Sequence, residues 1–457
     1  MKIRINKLKE DVDMLFKTCS NSLEKMKLVD AIQRLGIAHL FEIQICTALS
    51  DIHENELNIS SLREVALRFR LLREHGLWVS PDLFKKFRGE DGTFNEYITN
   101  DPKGLICLYN AAYTLTHGEP ELKDAVSFAR HYLESLASSL GSPLAEQVKR
   151  ALHVPLPRTY RRLEALHYMP EYEREEGHSP ILLELAKLEF NLLQAVHLKE
   201  LKEISEWYSD FKGYVGLSFA RDRVAESYLW GYCVFYEEEH TLTRMIFAKL
   251  VILHTLLDDT NDVGATLEEY RKLDAAIQRW DESAVSLVPG YLKKFYNKLL
   301  ICFKEFDDEL RLNGRYSIDH MKKEYQIIYF GALEWALGYP DVVMACAKIG
   351  RLMNDLAASS KPRDNRDVAN CVECYAGEHK VTEEVAFAAI DSMIEDEWRT
   401  TNQARFQHGR ELLPAVQRVV NCTLSWPVYY GDRKDAFTFS SHLEDIIKRL
   451  FVKPIPI

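Results

Sequence analysis

Apolar residues recur at three-and-four spacing along most of the chain. "EKMKLVDAIQRLGIAHLFEIQICTAL" carries the pattern early, and "DPKGLICLYNAAYTLT", "ELKDAVSFARHYLESLASSL" and "SPLAEQVKRAL" repeat it. That period gives each segment one apolar stripe and predicts a succession of amphipathic helices. Strand-like alternation is rare. "RGEDGTF", from Arg88 to Phe94, and "HVPLPRT" read as turns between helices. The clearest interruption is "MPEYEREEGHSP" at 169–180, which is charged, poor in apolar residues and closed by Pro180. Beyond it the helical runs become longer and more apolar. The expected architecture is all-α with two helical domains, residues 1–178 and 179–457. No internal repeat or low-complexity tract interrupts the pattern.

Composition narrows the class. The 457 residues exceed one ordinary core, and 47% hydrophobic with 28% charged residues is a globular balance. A formal net charge of −11 argues against a nucleic-acid or anionic-membrane binder. Nine cysteines lie scattered without a framework. The N-terminus "MKIRINKLKEDVDMLFKTC" contains acidic residues and reads as a helix, not as a secretory signal or a transit peptide. Both features point to a reducing compartment, the cytoplasm. No apolar run is expected to approach a membrane span. Cys371 and Cys374 form a single CxxC with no second pair, which two cysteines on a helix explain better than a zinc site.

The chemistry concentrates where one apolar run ends. "MIFAKLVILHTL" leads directly into "LLDDTND", so Asp258, Asp259 and Asp262 crowd the C-terminal end of a core helix. That end already carries partial negative charge, and carboxylates four apart share a face and repel. A bound divalent cation would reverse both effects, and Mg²⁺ takes oxygen ligands together with waters and substrate phosphates. Solvated aspartates at an ordinary helix terminus, with Asn261 and Gly264 as stop signals, are the plainer alternative. Upstream, Arg221 and Arg223 in "ARDR" can present two forks to one phosphate group, or form a basic surface turn with Asp222. Trp230 follows them on an aromatic helix that suits either a cation-lined cavity or plain core. Downstream, Arg351, Asn354 and Asp355 end a second apolar helix, "VVMACAKIGRLM". Together these suggest metal ions gripping a polyphosphate above an aromatic cavity.

On these residues the chain resembles the plant terpene synthases, in particular the grass sesquiterpene synthases. "LLDDTND" is similar to the family's DDxxD motif and "RDR" to its arginine motif. "AIQRWDESAVSLVPGYLKKFY", "LRFRLLREHG", "PLPRTYRRLEALHY" and "VKPIPI" are also family-like, so the resemblance runs nearly end to end. It implies a class I terpenoid-synthase helical bundle in the C-terminal domain and a non-catalytic helical domain before it. It implies Mg²⁺, with Mn²⁺ as a substitute, and a prenyl diphosphate substrate, farnesyl diphosphate in this branch, acted on by a monomer. Asp258 and Asp262 match metal ligands, with Asp259 between them. Asn354, Asp355 and Ser359 fall at the second metal motif. Arg221, Arg223 and Arg351 match diphosphate-side arginines. Trp230 and Tyr430 match cavity aromatics, and Asp435 the closing loop. Phe437 stands where the family has a tyrosine, so a ring remains without its hydroxyl.

Two departures qualify the resemblance. The second motif calls for Asn or Asp, then Ser or Thr four on, then Glu eight on. Counting from Asn354 gives Ala358 and Pro362; counting from Asp355 gives Ser359 and Arg363. Neither register supplies the glutamate. In addition, about two helices of family sequence are absent between Tyr325 and Ala332. Three readings stay open: a Mg²⁺-dependent terpene cyclase, a catalytically inactive relative, and an all-helical scaffold or binding protein.

Overall fold

The computed structural model describes residues 1–55, 60–260, 264–310, 338, 340–359 and 370–457. Among them the regular elements are helices, as the three-and-four spacing predicts. α1 to α4 are Lys2–Thr18, Ser22–Arg34, Glu42–Glu54 and Leu62–Glu74. α5 to α8 are Pro102–Ala112, Pro120–Leu136, Leu144–His153 and Arg161–Tyr172. α9 to α12 are Pro180–Val215, Val224–Val234, Thr241–Asp259 and Leu267–Arg279. α13 covers 293–310. α14 to α19 are Asp341–Ala358, Cys371–His379, Glu383–Gln407, Leu413–Thr423, Trp426–Tyr430 and Glu444–Phe451.

Local chemistry sets many of the ends. Asn21 and Ser61 cap α2 and α4 by accepting the backbone N–H of Glu24 and Glu64. Thr266 with Glu269, and Asn370 with Glu373, close reciprocal capping boxes on α12 and α15. The turn expected at Arg88 to Phe94 closes as an isolated antiparallel bridge between those two residues. The interruption expected from residue 169 begins later, because α8 carries Pro170 inside it and runs on to Tyr172. A proline near a helix end removes one N–H without stopping the turn.

Two compact units emerge. Unit 1 comprises Met1–Leu192, Tyr339–Ala436 and Lys453–Ile457; unit 2 comprises Leu193–Gly338 and Phe437–Val452. Unit 1 therefore joins α1–α8 to α14–α18. An ion pair and amide hydrogen bonds link the two sets of helices. The Arg158 guanidinium donates to Glu395 of α16 at 2.6 and 2.7 Å and lies 4.6 and 4.8 Å from the ring centroids of Tyr113 and Trp398. Asn402 donates to the carbonyls of Tyr113 and Leu115, both at 3.0 Å. The C-terminal tail is pinned to the same unit by a pair of 2.8 Å bonds between Asn191 and the Ile455 backbone.

Unit 2 is built around a buried arginine. Arg244 of α11 donates to both oxygens of Glu200 on α9, at 2.7 and 2.6 Å, and also to the Glu237 carbonyl at 2.9 Å. The Tyr228 hydroxyl donates to the same carboxylate at 2.7 Å. Phe451 of α19 packs against Tyr228 and Tyr232 with centroids 5.5 and 4.9 Å apart. One expectation is corrected here. The segment Glu238–Asp259 is long and apolar enough to cross a membrane by length and composition. Within unit 2 one face of it is packed: Ile246, Ala248, Ile252, Leu253 and Leu256 are buried and its one internal arginine is paired. Arg244→Ala leaves Glu200 buried and short of a counter-charge. The expected loss is about 3–5 kcal/mol, read as a lower urea midpoint.

Candidate functional site

α11 turns two neighbouring aspartates to different surroundings. Successive helical residues point about 100° apart, so Asp259 faces inward and is buried while Asp258 remains half-exposed. Arg221 then answers both. Its backbone N–H donates to Asp259 Oδ2 at 2.7 Å and its Nε to Oδ1 at 2.6 Å, while Nη2 reaches Asp258 Oδ2 at 3.2 Å. Both oxygens of Asp259 are thus engaged, and the repulsion at the helix end is relieved by an arginine. Asp262 lies outside the described residues.

The surrounding turn is fixed by packing. The Thr260 hydroxyl donates to the Leu256 carbonyl at 2.7 Å, and the Ala265 N–H returns to the Thr260 carbonyl at 2.8 Å. Gly264 is required by close approach: a Cβ there would lie 2.3 Å from the Phe219 ring. Phe219 sits two residues before Arg221, so one contact sets the arginine turn against the aspartate turn. The Tyr208 hydroxyl donates to the Arg221 carbonyl at 3.3 Å. Burial first, then Asp222 and Asp259, push that phenol up to about 12.

Thr438 is the partner that sequence reasoning missed. Its hydroxyl accepts from Arg221 Nη1 at 3.1 Å, and its carbonyl accepts from Arg223 Nη2. Arg223 Nη1 donates to the Asp222 carbonyl at 2.6 Å. The signal available was its place beside Phe437, which was singled out. Phe437 itself meets Trp230 with ring centroids 5.6 Å apart, so the structure brings these two cavity candidates together.

The remaining candidates lie in unit 1. On α14, Arg351 is largely exposed, and its Nε pairs with Asp355 Oδ1 at 3.0 Å. Asp355 is buried, and its Oδ2 accepts the backbone N–H of Cys371 at 2.9 Å, at the start of α15. Ser359 donates to the Asp355 carbonyl at 2.8 Å and accepts from Asn370 Nδ2 at 2.9 Å. Asn354 is half-buried on the same helix. Burial first, then Asp355, push the Cys371 thiol up to about 12. Cys371 and Cys374 both lie on α15. Tyr430 is buried and stacks on Trp426 at 6.0 Å, and Asp435 is buried just beyond, where Ala436 donates to the Tyr429 carbonyl at 2.8 Å. Pro362, Arg363 and the interval from Tyr325 to Ala332 lie outside the described residues.

The comparisons with known proteins agree on one family. A model described as "Terpene synthase, N-terminal domain" matches residues 1–152, and one described as "Terpene synthase family, metal binding domain" matches 209–331 and 327–400. The chain belongs to the terpene synthase family. Tau-cadinol synthase of Zea mays is 46% identical to it, over 99% of this chain and 93% of the relative. Alpha-copaene synthase of Zea mays is 43% identical, over 100% and 96%. The fold matches isoprene synthase of grey poplar (Populus x canescens), solved with three Mg²⁺ ions and dimethylallyl-S-thiolodiphosphate. Its TM-score is 0.86 at 27% identity, covering 100% of this chain and 97% of that one.

The same comparisons locate the departure. The alignment with tau-cadinol synthase spans 509 positions against 457 residues here, so at least 52 positions have no counterpart in this terpene synthase. The metal-binding model breaks into two matches that meet at 327–331, inside the interval from Tyr325 to Ala332.

Membership of the family carries dependence on a divalent metal and action on prenyl diphosphates. The residues fit a hard cation at one end only. Asp258 offers a half-exposed carboxylate oxygen, and the sequence places Asp262 one turn further on. Among the described residues no group of three His, Cys, Asp or Glu side chains gathers. On α14 the set does not fit as it stands: Asp355 and Ser359 are committed to the start of α15, and neither register offers a glutamate.

Proposed function

We propose that this terpene synthase binds farnesyl diphosphate with Mg²⁺, or Mn²⁺ in its place, as a cytoplasmic monomer, and ionises it with little cyclisation. The observation that carries the reading is the half-exposed Asp258 carboxylate beside the Arg221 fork at the end of an apolar helix. A divalent ion held by Asp258 and Asp262 supplies charge that neutralises a leaving diphosphate. Arg221 and Arg223 add charge-assisted donors for its oxygens. Trp230 and Phe437, whose rings meet within unit 2, offer ring faces to a carbocation. The names of the relatives, tau-cadinol synthase and alpha-copaene synthase, support the choice of farnesyl over geranyl diphosphate. A second reading, a catalytically inactive relative, is favoured by the 52 or more unmatched positions and by the commitment of Asp355 to α15.

Calorimetric titration with Mg²⁺ and pyrophosphate tests the binding claim. Asp258→Ala is expected to weaken metal-dependent binding about 10- to 100-fold, the scale of a lost charge-assisted contact. Its side chain is half-exposed, so the folded state is expected to persist. Unchanged affinity in Asp258→Ala removes the site.

A further inference from the structure

One residue of unit 2 joins the two arginines of the site. The Thr438 hydroxyl accepts from Arg221 Nη1 at 3.1 Å, and the Thr438 carbonyl accepts from Arg223 Nη2. Residues 221–223 belong to no helix, so the local backbone does not set the spacing of the two guanidiniums. Among the described residues Arg223 donates to the Asp222 carbonyl, one position before it, and to Thr438, 215 positions away. Thr438 is thus the distant point to which Arg223 is tied. Its own place is steadied by Phe437, whose ring lies 5.6 Å from that of Trp230. Arg221 is drawn in several directions at once. Its Nε bonds to Asp259 at 2.6 Å, its Nη1 to the Thr438 hydroxyl, and its Nη2 reaches Asp258 at 3.2 Å.

We infer that Thr438 is a positioning residue for diphosphate binding, tying Arg221 and Arg223 into one fork and holding Arg221 back from Asp258. This role rests on the reading that the two arginines and Asp258 receive a metal–diphosphate pair. A hydroxyl and a carbonyl on one residue fix both guanidiniums to a common point. Their donors are then ordered before the anion arrives, and less freedom is lost on binding. The hydroxyl has a second effect. Without it Arg221 Nη1 loses an acceptor, and the exposed carboxylate already within reach of the guanidinium is Asp258. An arginine that closes on Asp258 with two parallel bonds competes with a divalent cation for the same oxygens. Thr438 contributes no charge of its own; it acts through the arginines.

Thr438→Val keeps the branched shape and removes the hydroxyl; Thr438→Ser keeps the hydroxyl. The full-length parent and both variants are titrated with pyrophosphate in a calorimeter over a series of Mg²⁺ concentrations. Thr438→Val is expected to bind pyrophosphate about 5-fold more weakly, the scale of one lost hydrogen bond, and to need more Mg²⁺ for half-maximal binding. Thr438→Ser is expected to match the parent. The urea midpoint should stay in place in both variants, because Asp259 keeps its arginine, and a mere loss of packing would not raise the Mg²⁺ requirement. Phenylglyoxal labelling of the ligand-free chains tests the tie without any diphosphate. A glutamate-specific protease releases both arginines in peptide 207–226, where fragmentation by mass spectrometry separates them. Arg223 is expected to be modified about 3-fold faster in Thr438→Val than in the parent. Equal labelling of Arg223, an unchanged Mg²⁺ requirement, or a serine variant as impaired as the valine one would each overturn the role of Thr438 and leave the diphosphate reading standing. A parent that shows no Mg²⁺-dependent pyrophosphate binding would remove that reading instead, and the labelling alone would then decide whether Thr438 ties the arginines.

Discussion

Replacing Arg221 with alanine should destabilise unit 2 by about 3–5 kcal/mol, the cost of stranding a buried charge. The charge is Asp259, whose side chain is 4% exposed and whose oxygens accept from the Arg221 backbone N–H and Nε. Alanine keeps the backbone donor and loses the counter-charge. The double change Arg221→Ala with Asp259→Asn should recover much of the loss, because an amide needs no cation. Urea unfolding followed by tryptophan fluorescence reads the effect, since Trp207, Trp230 and Trp280 all lie in unit 2. An unchanged midpoint in the single variant would show that Arg221 does not hold the aspartate turn. A midpoint lowered equally in the single and double variants would trace the loss to packing rather than charge.

This result bears on how the chain tolerates its acidic helix end. From the sequence, three carboxylates at a helix C-terminus call for a cation. The structure supplies part of it from Arg221, which holds the inward carboxylate with two short bonds and reaches the outward one with a single longer bond. The two jobs are therefore separable: Asp259 anchors the arginine turn, and Asp258 faces the solvent from which a metal–diphosphate pair would arrive.

The helices were legible because three-and-four spacing is a local signal. So was the turn at Arg88 to Phe94. The inward turn of Asp259 was not, because the choice between adjacent positions is made by Arg221, 38 residues away. Arg158 pairs with Glu395 across 237 positions, and Arg244 with Glu200 across 44. Such pairs decide which helices share a unit, and nothing in a helical period announces them. The spacing also left the register of the second motif open. Asp355 now has a job at the start of α15, and that contact became visible only once Cys371 was placed beside it. The missing interval was the opposite case. It was legible through resemblance alone, and the length of the alignments supports it independently.

Restoring the family's two helices between Tyr325 and Ala332 should raise cyclic product from farnesyl diphosphate by about 100-fold or more, the scale on which lost preorganisation is felt. The unmodified chain should release little cyclic hydrocarbon, and what it makes should be mainly acyclic alcohol such as farnesol or nerolidol. A carbocation is quenched by water unless the cavity is dry and closed. α13, the last described helix before the gap, carries apolar surface that wants a neighbour: Ile301 and Leu310 are 46% and 52% exposed. Insertion addresses that wall, whereas Arg363→Glu alone repairs only the donor count from Asp355 and should do less, because Asp355 is already engaged by Arg351 and Cys371. Gas chromatography of volatiles after incubation with farnesyl diphosphate and Mg²⁺ compares the three chains. Abundant cyclic hydrocarbon from the unmodified chain would sink the claim of impaired cyclisation and show that the 52 or more unmatched positions are dispensable for closing the cavity.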